Sequence, residues 1–243
     1  MKENIIFGLR PVIEAISAGK QIDKLMMQKG LQGQIFHELL QLVKDNGIHI
    51  QYVPIEKLNY TTHGNHQGVI AFVSPITYMQ ISEIVPELIE QGKNPLVVIL
   101  DRITDVRNFG AIARTCECCG VHAIIVPEKE TAQINADAMK TSAGALNIIP
   151  VCKEKNLYNT VKYLKSNGFN VIGCTEKSDK YIYKADYSKP TAIVMGSEED
   201  GISPQILKIM DELLAIPILG EVKSLNVSVA TAMILGEVVR QRM

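Results

Sequence analysis

The sequence predicts an α/β protein whose main sheet is parallel and covered by helices on both faces. Its second half alternates short, nearly continuous apolar runs with longer segments of helical periodicity. Strands of that kind are buried on both faces, which is typical of parallel sheets built from βαβ units. The predicted strands are 96–100, 123–126, 147–151, 170–174, 192–195 and 213–216. The predicted helices are 109–119, 133–141, 157–167, 204–210 and 227–242.

The first part of the chain has a different pattern and predicts a small α/β domain over residues 1–74. Amphipathic spacing followed by glycine stop signals indicates two helices, and alternating or continuous apolar runs indicate three strands. Residues 75–94 predict a linker with a helix at 81–90 that leads into a second domain, 95–243. Within the first domain the helices are 11–17 and 35–46, and the strands are 24–28, 48–53 and 68–73.

Composition restricts the class of protein. Of the 243 residues, 47% are apolar and 21% are charged, an ordinary globular profile. No window approaches twenty uninterrupted apolar residues, so no spanning helix is expected. The apolar run at the N-terminus is too short for a signal peptide, and a cytoplasmic location is expected. The net charge of −1 argues against a broad basic footprint for nucleic acid, although a local patch remains possible around Arg10, Lys20, Lys24 and Lys29.

The cysteines and histidines do not predict a metal site. The chain has five cysteines, an odd number that does not suggest a disulfide framework. Cys116 and Cys119 form a C-x-x-C pair, but buried thiols on a helix face are the better interpretation, and no metal is expected. The polar loop 61–68 carries His63 and His66. This loop either contacts RNA or is a plain connection.

Two predicted strands end in loops that indicate a ligand site. Loop 196–201 is acidic and closed by glycines, and loop 216–226 holds Ser224 and Asn226. The carboxyl ends of parallel strands lie at one edge of the sheet, where α/β proteins bind their ligands. The helix 227–242 that follows is rich in small residues, which predicts close packing against it.

The first βα unit of the second domain lacks the glycine fingerprint of a dinucleotide-binding fold. Gly110 stands alone there, so a nicotinamide-dependent oxidoreductase is disfavoured. The unit instead offers Asn108, which could be a helix cap, and Arg114 within an apolar helix. A buried or half-buried arginine usually meets a carboxylate or a phosphate, so Arg114 is expected to do the same.

Three sequence blocks then resemble one known family. They are D-x-x-N-x-G-A-I-x-R-T at 105–115, G-x-E-x-x-G ending the strand at 193–201, and I-P-I-L-G-x-V-x-S-L-N-V-S-V-A at 216–230. In this order they are similar to the motifs of the SpoU (TrmH-type) RNA ribose 2′-O-methyltransferases of the SPOUT superfamily. The N-terminal I-F-G-L-R-P-V-I-E-A-I and H-Q-G-V resemble a subgroup that includes bacterial 23S rRNA guanosine-2′-O-methyltransferases. Val106 departs from the proline common at that place.

The resemblance implies a fold, a cofactor and partners. It implies a SPOUT-type parallel sheet with a C-terminal trefoil knot, preceded by a small L30e/L7Ae-like RNA-binding domain. It also implies S-adenosylmethionine as methyl donor, RNA as substrate and an obligate homodimer. The residues expected to bind the donor are Thr175, Met195, Gly196, Ile216, Leu219, Gly220 and Leu225. The residues expected to be catalytic are Asn108, Arg114, Glu198, Ser224 and Asn226.

The implied reaction activates a ribose 2′-hydroxyl, a poor nucleophile when neutral and the group that distinguishes RNA from DNA. By resemblance Arg114 lies closest to this hydroxyl. Because arginine is effectively always protonated, we expect Arg114 to grip the adjacent phosphate and hydrogen-bond the reacting oxygen, while another group or water removes the proton. The alternatives are a transfer-RNA ribose methyltransferase and a non-catalytic RNA-binding or ribosome-assembly protein.

Overall fold

The computed structural model describes residues 5–222 and 224–243. The chain divides into two compact units, Met1–Thr77 and Tyr78–Met243. Two predictions extend outside the described residues: the third sequence block at Lys223, and the first domain at residues 1–4.

The first unit contains a four-stranded mixed sheet in the order β1-β4-β2-β3. Its elements are β1 (Ile5–Phe7), α1 (Leu9–Ser17), β2 (Ile22–Gln28), α2 (Gln34–Asp45), β3 (Ile50–Val53), α3 (Ile55–Thr61) and β4 (Val69–Val73). Helices α1 and α2 bury their apolar stripes against one sheet face. Leu58 of α3 packs on the other. The sequence did not indicate β1, which has only three residues, or α3, in which Leu58 is the one buried residue among those described.

Loop 61–68 of the first unit is held by hydrogen bonds of His66, one within the loop and one to Asn59 of α3. The buried His66 accepts the N–H of Gly68 at Nδ1 (2.9 Å), so Nε2 carries the hydrogen that it shares with Asn59 Oδ1 (2.8 Å). A Cβ at Gly64 would lie 2.4 Å from the Phe7 ring, so a larger residue there would require the ring to move. Of the two histidines, His66 therefore has a structural role, and His63 is exposed.

The second unit contains a seven-stranded sheet, in the order β11-β9-β10-β6-β7-β8-β5, in which every recorded pairing is parallel. The strands are β5 (Tyr78–Met79), β6 (Leu96–Leu100), β7 (Ala123–Pro127), β8 (Val151–Glu154), β9 (Asn170–Cys174), β10 (Thr191–Met195) and β11 (Glu212–Leu214). The helices are α4 (Ile81–Glu90), α5 (Val106–Cys118), α6 (Ala136–Thr141), α7 (Leu157–Ser166), α8 (Pro204–Leu207) and α9 (Val227–Arg242). Strands β6 and β10 are buried along their whole length, as the continuous apolar runs predicted.

The predicted strand at 147–151 is wrong. Residues Ala145–Asn147 form a 3-10 turn after Gly144, whose φ of 93° redirects the chain. The amides of Ile148 and Ile149 both donate to the carbonyl of Ala145, so this segment is a turn, and β8 begins only after Pro150. Ile148 and Ile149 led to the prediction of a strand, because a short apolar run alone does not distinguish a turn from a strand.

Other boundaries moved where local hydrogen bonds decided them. Helix α6 begins at Ala136 because the Asn135 side chain accepts the amides of Asp137 and Ala138. Helix α8 ends at Leu207, where residues 208–209 continue as a turn. The helix predicted at 81–90 is present as α4, and it is part of the second unit, whose core includes its apolar face.

The C-terminal end of α9 is tied to the amino ends of the central strands. Arg242 donates to the backbone carbonyls of Tyr187 (2.9 Å), Lys189 (2.8 Å) and Asn94 (2.9 Å). These contacts hold the last helix across the start of β6 and the segment that precedes β10. No helix in the described part of the chain is long and apolar enough to cross a membrane.

Candidate active site

A cavity of about 600 Å³ opens at the carboxyl edge of the sheet, beyond β9, β10 and β11. The loops that follow these strands form its walls, as the strand-end pattern predicted. The cavity is lined by Cys174, Thr175, Glu176, Lys177, Met195, Gly196, Ser197, Glu198, Glu199, Asp200, Gly201, Ile216, Ile218, Ser224, Leu225, Asn226, Val227 and Ala230.

Loop 196–201 folds back on itself directly after β10. Ser197 and Gly201 exchange two backbone hydrogen bonds (3.0 and 3.1 Å), and the Ser197 hydroxyl accepts the amide of Asp200. A Cβ at Gly196 would lie 2.1 Å from the carbonyl carbon of Gly201. Glycine is therefore required at 196, because any side chain would force the two ends of the loop apart.

Three polar side chains from distant parts of the chain meet above this loop. Asn108 Nδ2 donates to Glu198 Oε1 (3.0 Å), and Asn226 Nδ2 donates both to the same oxygen (3.0 Å) and to Asn108 Oδ1 (3.0 Å). We call this arrangement the Asn–Glu–Asn triangle. It joins the first turn of α5, the loop after β10 and the start of α9.

Helix capping positions two members of the triangle. The Asp105 side chain caps α5 by accepting the backbone N–H of Asn108 (2.7 Å). The helix cap is therefore Asp105 and not Asn108, whose side chain is free to join the triangle. Asn226 caps α9 through Oδ1, which accepts the amide (2.9 Å) and the hydroxyl (2.6 Å) of Ser228. With Oδ1 occupied in this way, the Asn226 amide nitrogen points to Glu198.

The structure brings most of the predicted donor-binding residues together, but not all. Thr175, Met195, Gly196, Ile216 and Leu225 line the cavity, together with Glu198, Ser224 and Asn226. Asn108 lines a neighbouring cavity of about 300 Å³ that shares the wall formed by Ser197–Asp200. Leu219 and Gly220 do not line either cavity, and Leu219 is fully exposed.

Arg114 lies elsewhere, and the expectation of a buried or half-buried arginine was wrong. It is exposed, and it makes no recorded hydrogen bond or ion pair within residues 5–222 and 224–243. The buried side of α5 is formed by Phe109, Ile112, Ala113 and Cys116, and Arg114 follows on the solvent side. The apolar neighbours in sequence gave a false signal because helical neighbours point in different directions.

Sequence reasoning missed several lining residues. Glu176 and Lys177 follow β9, and Glu199 and Asp200 complete the acidic loop. Their position directly after a predicted strand could have identified them as residues of the ligand site. Burial raises the pKa of the Cys174 thiol to about 12, so this wall of the cavity carries a neutral thiol at physiological pH. The described residues contain no group of three or more side chains that could hold a metal ion.

The fold and the cavity define an α/β protein with a ligand-sized cavity at the carboxyl edge of a parallel sheet. The sequence model of the SpoU rRNA methylase family matches residues 95–236. The model described as the RNA 2′-O ribose methyltransferase substrate-binding domain matches residues 5–79. The chain therefore belongs to the SpoU family and is an RNA methyltransferase of the SpoU/TrmH type.

Similar proteins agree with this family. A Staphylococcus aureus protein named as a TrmH family tRNA/rRNA methyltransferase is 37% identical over 245 residues, covering 100% of this chain and 98% of the relative. The solved SpoU methyltransferase AviRb of Streptomyces viridochromogenes, in complex with the cofactor AdoMet, is 25% identical with a TM-score of 0.62, covering 99% of this chain and 91% of that one. The A. aeolicus TrmH/SpoU tRNA modifying enzyme is 33% identical with a TM-score of 0.57, covering 67% of this chain and 84% of that one.

Proposed function

We propose that this protein transfers a methyl group from S-adenosylmethionine to a ribose 2′-hydroxyl, and that the acceptor is a guanosine of 23S ribosomal RNA. The proposal rests above all on the Asn–Glu–Asn triangle, which lies at the rim of the cavity beyond β9, β10 and β11. It places amide and carboxylate groups, which can position a hydroxyl and its donor, at the edge of a pocket of suitable size.

The cavity suits the donor in size and in chemistry. Its walls combine apolar side chains such as Ile216 and Leu225 with the carboxylates of Glu176, Glu198 and Glu199. Apolar walls suit an adenosine, and carboxylates suit the positive charges of a sulfonium and an ammonium group. When bound, S-adenosylmethionine supplies an electrophilic methyl group on a sulfonium sulfur.

The chain's own residues then orient the acceptor. Glu198 accepts from two amides in this structure, which fixes the carboxylate at the rim. Asn108 and Asn226 hold it there, so that the carboxylate, together with the Ser224 hydroxyl at the cavity wall, orients a ribose. Arg114 grips the phosphate next to the reacting nucleotide and hydrogen-bonds the 2′-oxygen, while another group or water takes the proton, because a guanidinium does not act as a base.

The position of Arg114 supports a homodimer. In one chain it lies on the exposed side of α5, outside both cavities that the acidic loop borders. Helix α9, which packs against α5, exposes Val229 and Met233. Pairing of two chains through this surface would bury these apolar side chains and bring the arginine of one chain to the substrate site of the other.

The sheet order supports the trefoil knot. Helix α9 follows the edge strand β11, yet it packs on α5, which follows the central strand β6. Between them, loop 216–226 passes the loops after β9 and β10, with which it shares the cavity. For the first unit, an L30e-like assignment is supported by its alternating order of helices and strands, with helices on both faces of a mixed sheet.

Ribosomal RNA is preferred to transfer RNA because a substrate-binding unit precedes the methyltransferase unit. If that first unit is L30e-like, it resembles domains that bind looped or kinked RNA. The names of the relatives leave both RNA classes open. A non-catalytic RNA-binding protein is disfavoured. Binding RNA alone would require neither a cavity for a methyl donor nor the Asn–Glu–Asn triangle at its rim.

The direct test is transfer of labelled methyl groups to 23S rRNA fragments and, separately, to total transfer RNA. We expect labelled 2′-O-methylguanosine in the ribosomal fragment alone. Arg114→Ala should lower the rate about 100-fold or more, the usual loss when a transition-state donor is removed. The matched control Arg107→Ala changes another exposed arginine of α5 and should stay within about threefold.

The outcomes separate the parts of the proposal. Label in transfer RNA alone would overturn the ribosomal assignment but leave the reaction intact. Full activity of Arg114→Ala would remove the catalytic role of this residue. No transfer to any RNA, with no thermal stabilisation by millimolar S-adenosylmethionine, would favour the non-catalytic alternative.

A further inference from the structure

Arg102 lies two residues beyond the end of β6, in a backbone conformation that is unusual for its residue type. Its φ is 61°, in the left-handed region that favours glycine. A non-glycine residue in this region costs free energy and persists when surrounding contacts hold it. Nothing in the three sequence blocks singled out this residue.

The contacts that hold Arg102 lead to the acidic loop. Its guanidinium donates from Nη1 to the Asp200 carboxylate (3.0 Å) and from Nη2 to the Gly201 carbonyl (3.1 Å). Its Nε lies 3.5 Å from the buried carboxylate of Asp101. Asp101 in turn accepts the amide of Ser203 (2.6 Å), just beyond the loop.

Arg102 thus joins the end of β6 to the closing end of loop 196–201. At its other end the loop continues directly from β10, which pairs with β6 through Met195 and Leu100. Between these two fixed ends lies Glu198, the acceptor in the Asn–Glu–Asn triangle. The loop also walls both cavities, so its position sets the shape of the donor site and the direction of the Glu198 carboxylate.

We propose that Arg102 is a positioning residue for methyl transfer: it holds loop 196–201 in its binding-competent conformation before the donor arrives. The inference rests on the proposed function for its effect on the reaction. A loop that is ordered in the free protein loses less entropy when the ligand binds, so loss of this contact weakens donor binding. Because Arg102 acts through the loop, it does not itself touch the reacting atoms.

The first test compares Arg102→Gly with wild type for donor affinity by calorimetry and for hydrogen exchange of the Asp200 and Gly201 amides. Glycine adopts the same φ without strain, so the variant removes the side chain and keeps the backbone. We expect donor affinity to fall about tenfold, which corresponds to one charge-assisted hydrogen bond, and both amides to exchange faster. Arg102→Lys, which can still reach Asp200, should recover part of the affinity.

Ala143→Gly is the matched backbone control. Ala143 is exposed with a φ of 50°, so glycine relieves a similar conformation without removing a polar contact. Its donor affinity and the exchange of the Asp200 and Gly201 amides should equal those of wild type. A similar loss in this control would assign the effect to the backbone rather than to the guanidinium, and would overturn the proposal.

The single variant Asp200→Ala removes the partner of the same contact, so it should also weaken donor binding, and it covers the case in which Arg102→Gly folds poorly. Where both single variants fold, they form a double-mutant cycle. Asp200 is an exposed partner, so its replacement should leave the fold intact. If the two residues act as one contact, the double variant binds the donor little worse than either single variant. Additive losses, or wild-type affinity in Arg102→Gly, would overturn the proposal.

The exchange measurement separates this inference from the proposed function. If wild type does not bind S-adenosylmethionine, the proposed function fails, and faster exchange in Arg102→Gly still supports the role of Arg102 in holding the loop. If wild type binds the donor but the Asp200 and Gly201 amides exchange in Arg102→Gly as they do in wild type, the role of Arg102 alone is overturned.

Discussion

At the scale of single residues, the site depends on side chains that have more than one partner. Asn226 caps α9 with its oxygen and holds Glu198 with its nitrogen. Glu198 accepts both from Asn108 in α5 and from Asn226, the residue that caps α9. Such shared hydrogen bonds fix rotamers in the free protein, which reduces the ordering needed when substrates bind. At Gly196 the site depends instead on the lack of a side chain, because the loop backbone folds back against this residue.

Gly196→Ala should abolish the donor site. The added Cβ would meet backbone atoms of Gly201 and Ile202 at 2.1 Å, so the loop must open. We expect a loss of stability of at least about 1–3 kcal/mol, the usual cost of overpacking, and no measurable donor binding by calorimetry. Gly220→Ala adds the same methyl group at a position where, among the described residues beyond its chain neighbours, no atom would lie within 4 Å of it, and should leave affinity within about twofold. A large loss there would mean that Gly220 approaches the donor.

At the scale of elements, α9 combines a functional start with a tightly anchored end. Its first residue follows the Asn226 cap, and its last turn is held by Arg242. Within the last turns, the buried Glu237 accepts from Arg240 (2.7 and 2.8 Å) and from Gln241 (2.7 Å). These hydrogen bonds, that of Arg240 first, lower the pKa of Glu237 from 4.5 to about 2.

Glu237 therefore makes stability depend on pH in the acid range. Because the folded pKa lies below the unfolded one, the stabilisation is present above about pH 4.5 and is lost as pH falls toward about 2. We expect Glu237→Gln to lower the melting temperature at pH 7, and the difference from wild type to shrink as pH falls from 5 to 3. Calorimetric melts at several pH values measure this. A constant difference across that range would contradict the assignment.

At the scale of the whole molecule, the remaining apolar surface around α9 argues for association of two chains. Val222, Leu225, Val229 and Met233 are exposed in the single chain. Val229 and Met233 lie one turn apart on α9, and they are the exposed apolar side chains that the proposed dimer would bury. Under the proposed function, the exposed Arg114 on the adjoining helix α5 would then reach the substrate site of the second chain.

Met233→Glu should convert a dimer into monomers, because it places a charge in an apolar interface. Sedimentation velocity at micromolar concentration should show half the mass of wild type, and methyl transfer should fall together with the dimer fraction. Ile89→Glu changes a comparably exposed apolar residue on α4 and should leave the mass unchanged. A monomeric wild type that is fully active would refute the dimer and the shared site.

The sequence was a reliable guide to elements with a strong periodic signal. The continuous runs of β6 and β10 and the stripes of α1, α2 and α4 were predicted because burial on one or both faces leaves a direct record in residue type. Turn 145–149 and the short α3 were not, since their conformation follows from hydrogen bonds and a single buried contact rather than from a repeating pattern.

For the site, the sequence alone determined which groups are present and which strands end near one another. Apolar strands, glycine-broken loops and three spaced motifs specify residue types, and these are properties of the chain itself. Only the tertiary structure decided how they meet: Asn108 and Asn226 share Glu198, Arg114 faces outward, and Arg102 ties the acidic loop to β6. The physical reason is that hydrogen bonds join residues about a hundred positions apart, and the partners depend on side-chain direction and loop closure, which a linear pattern does not contain.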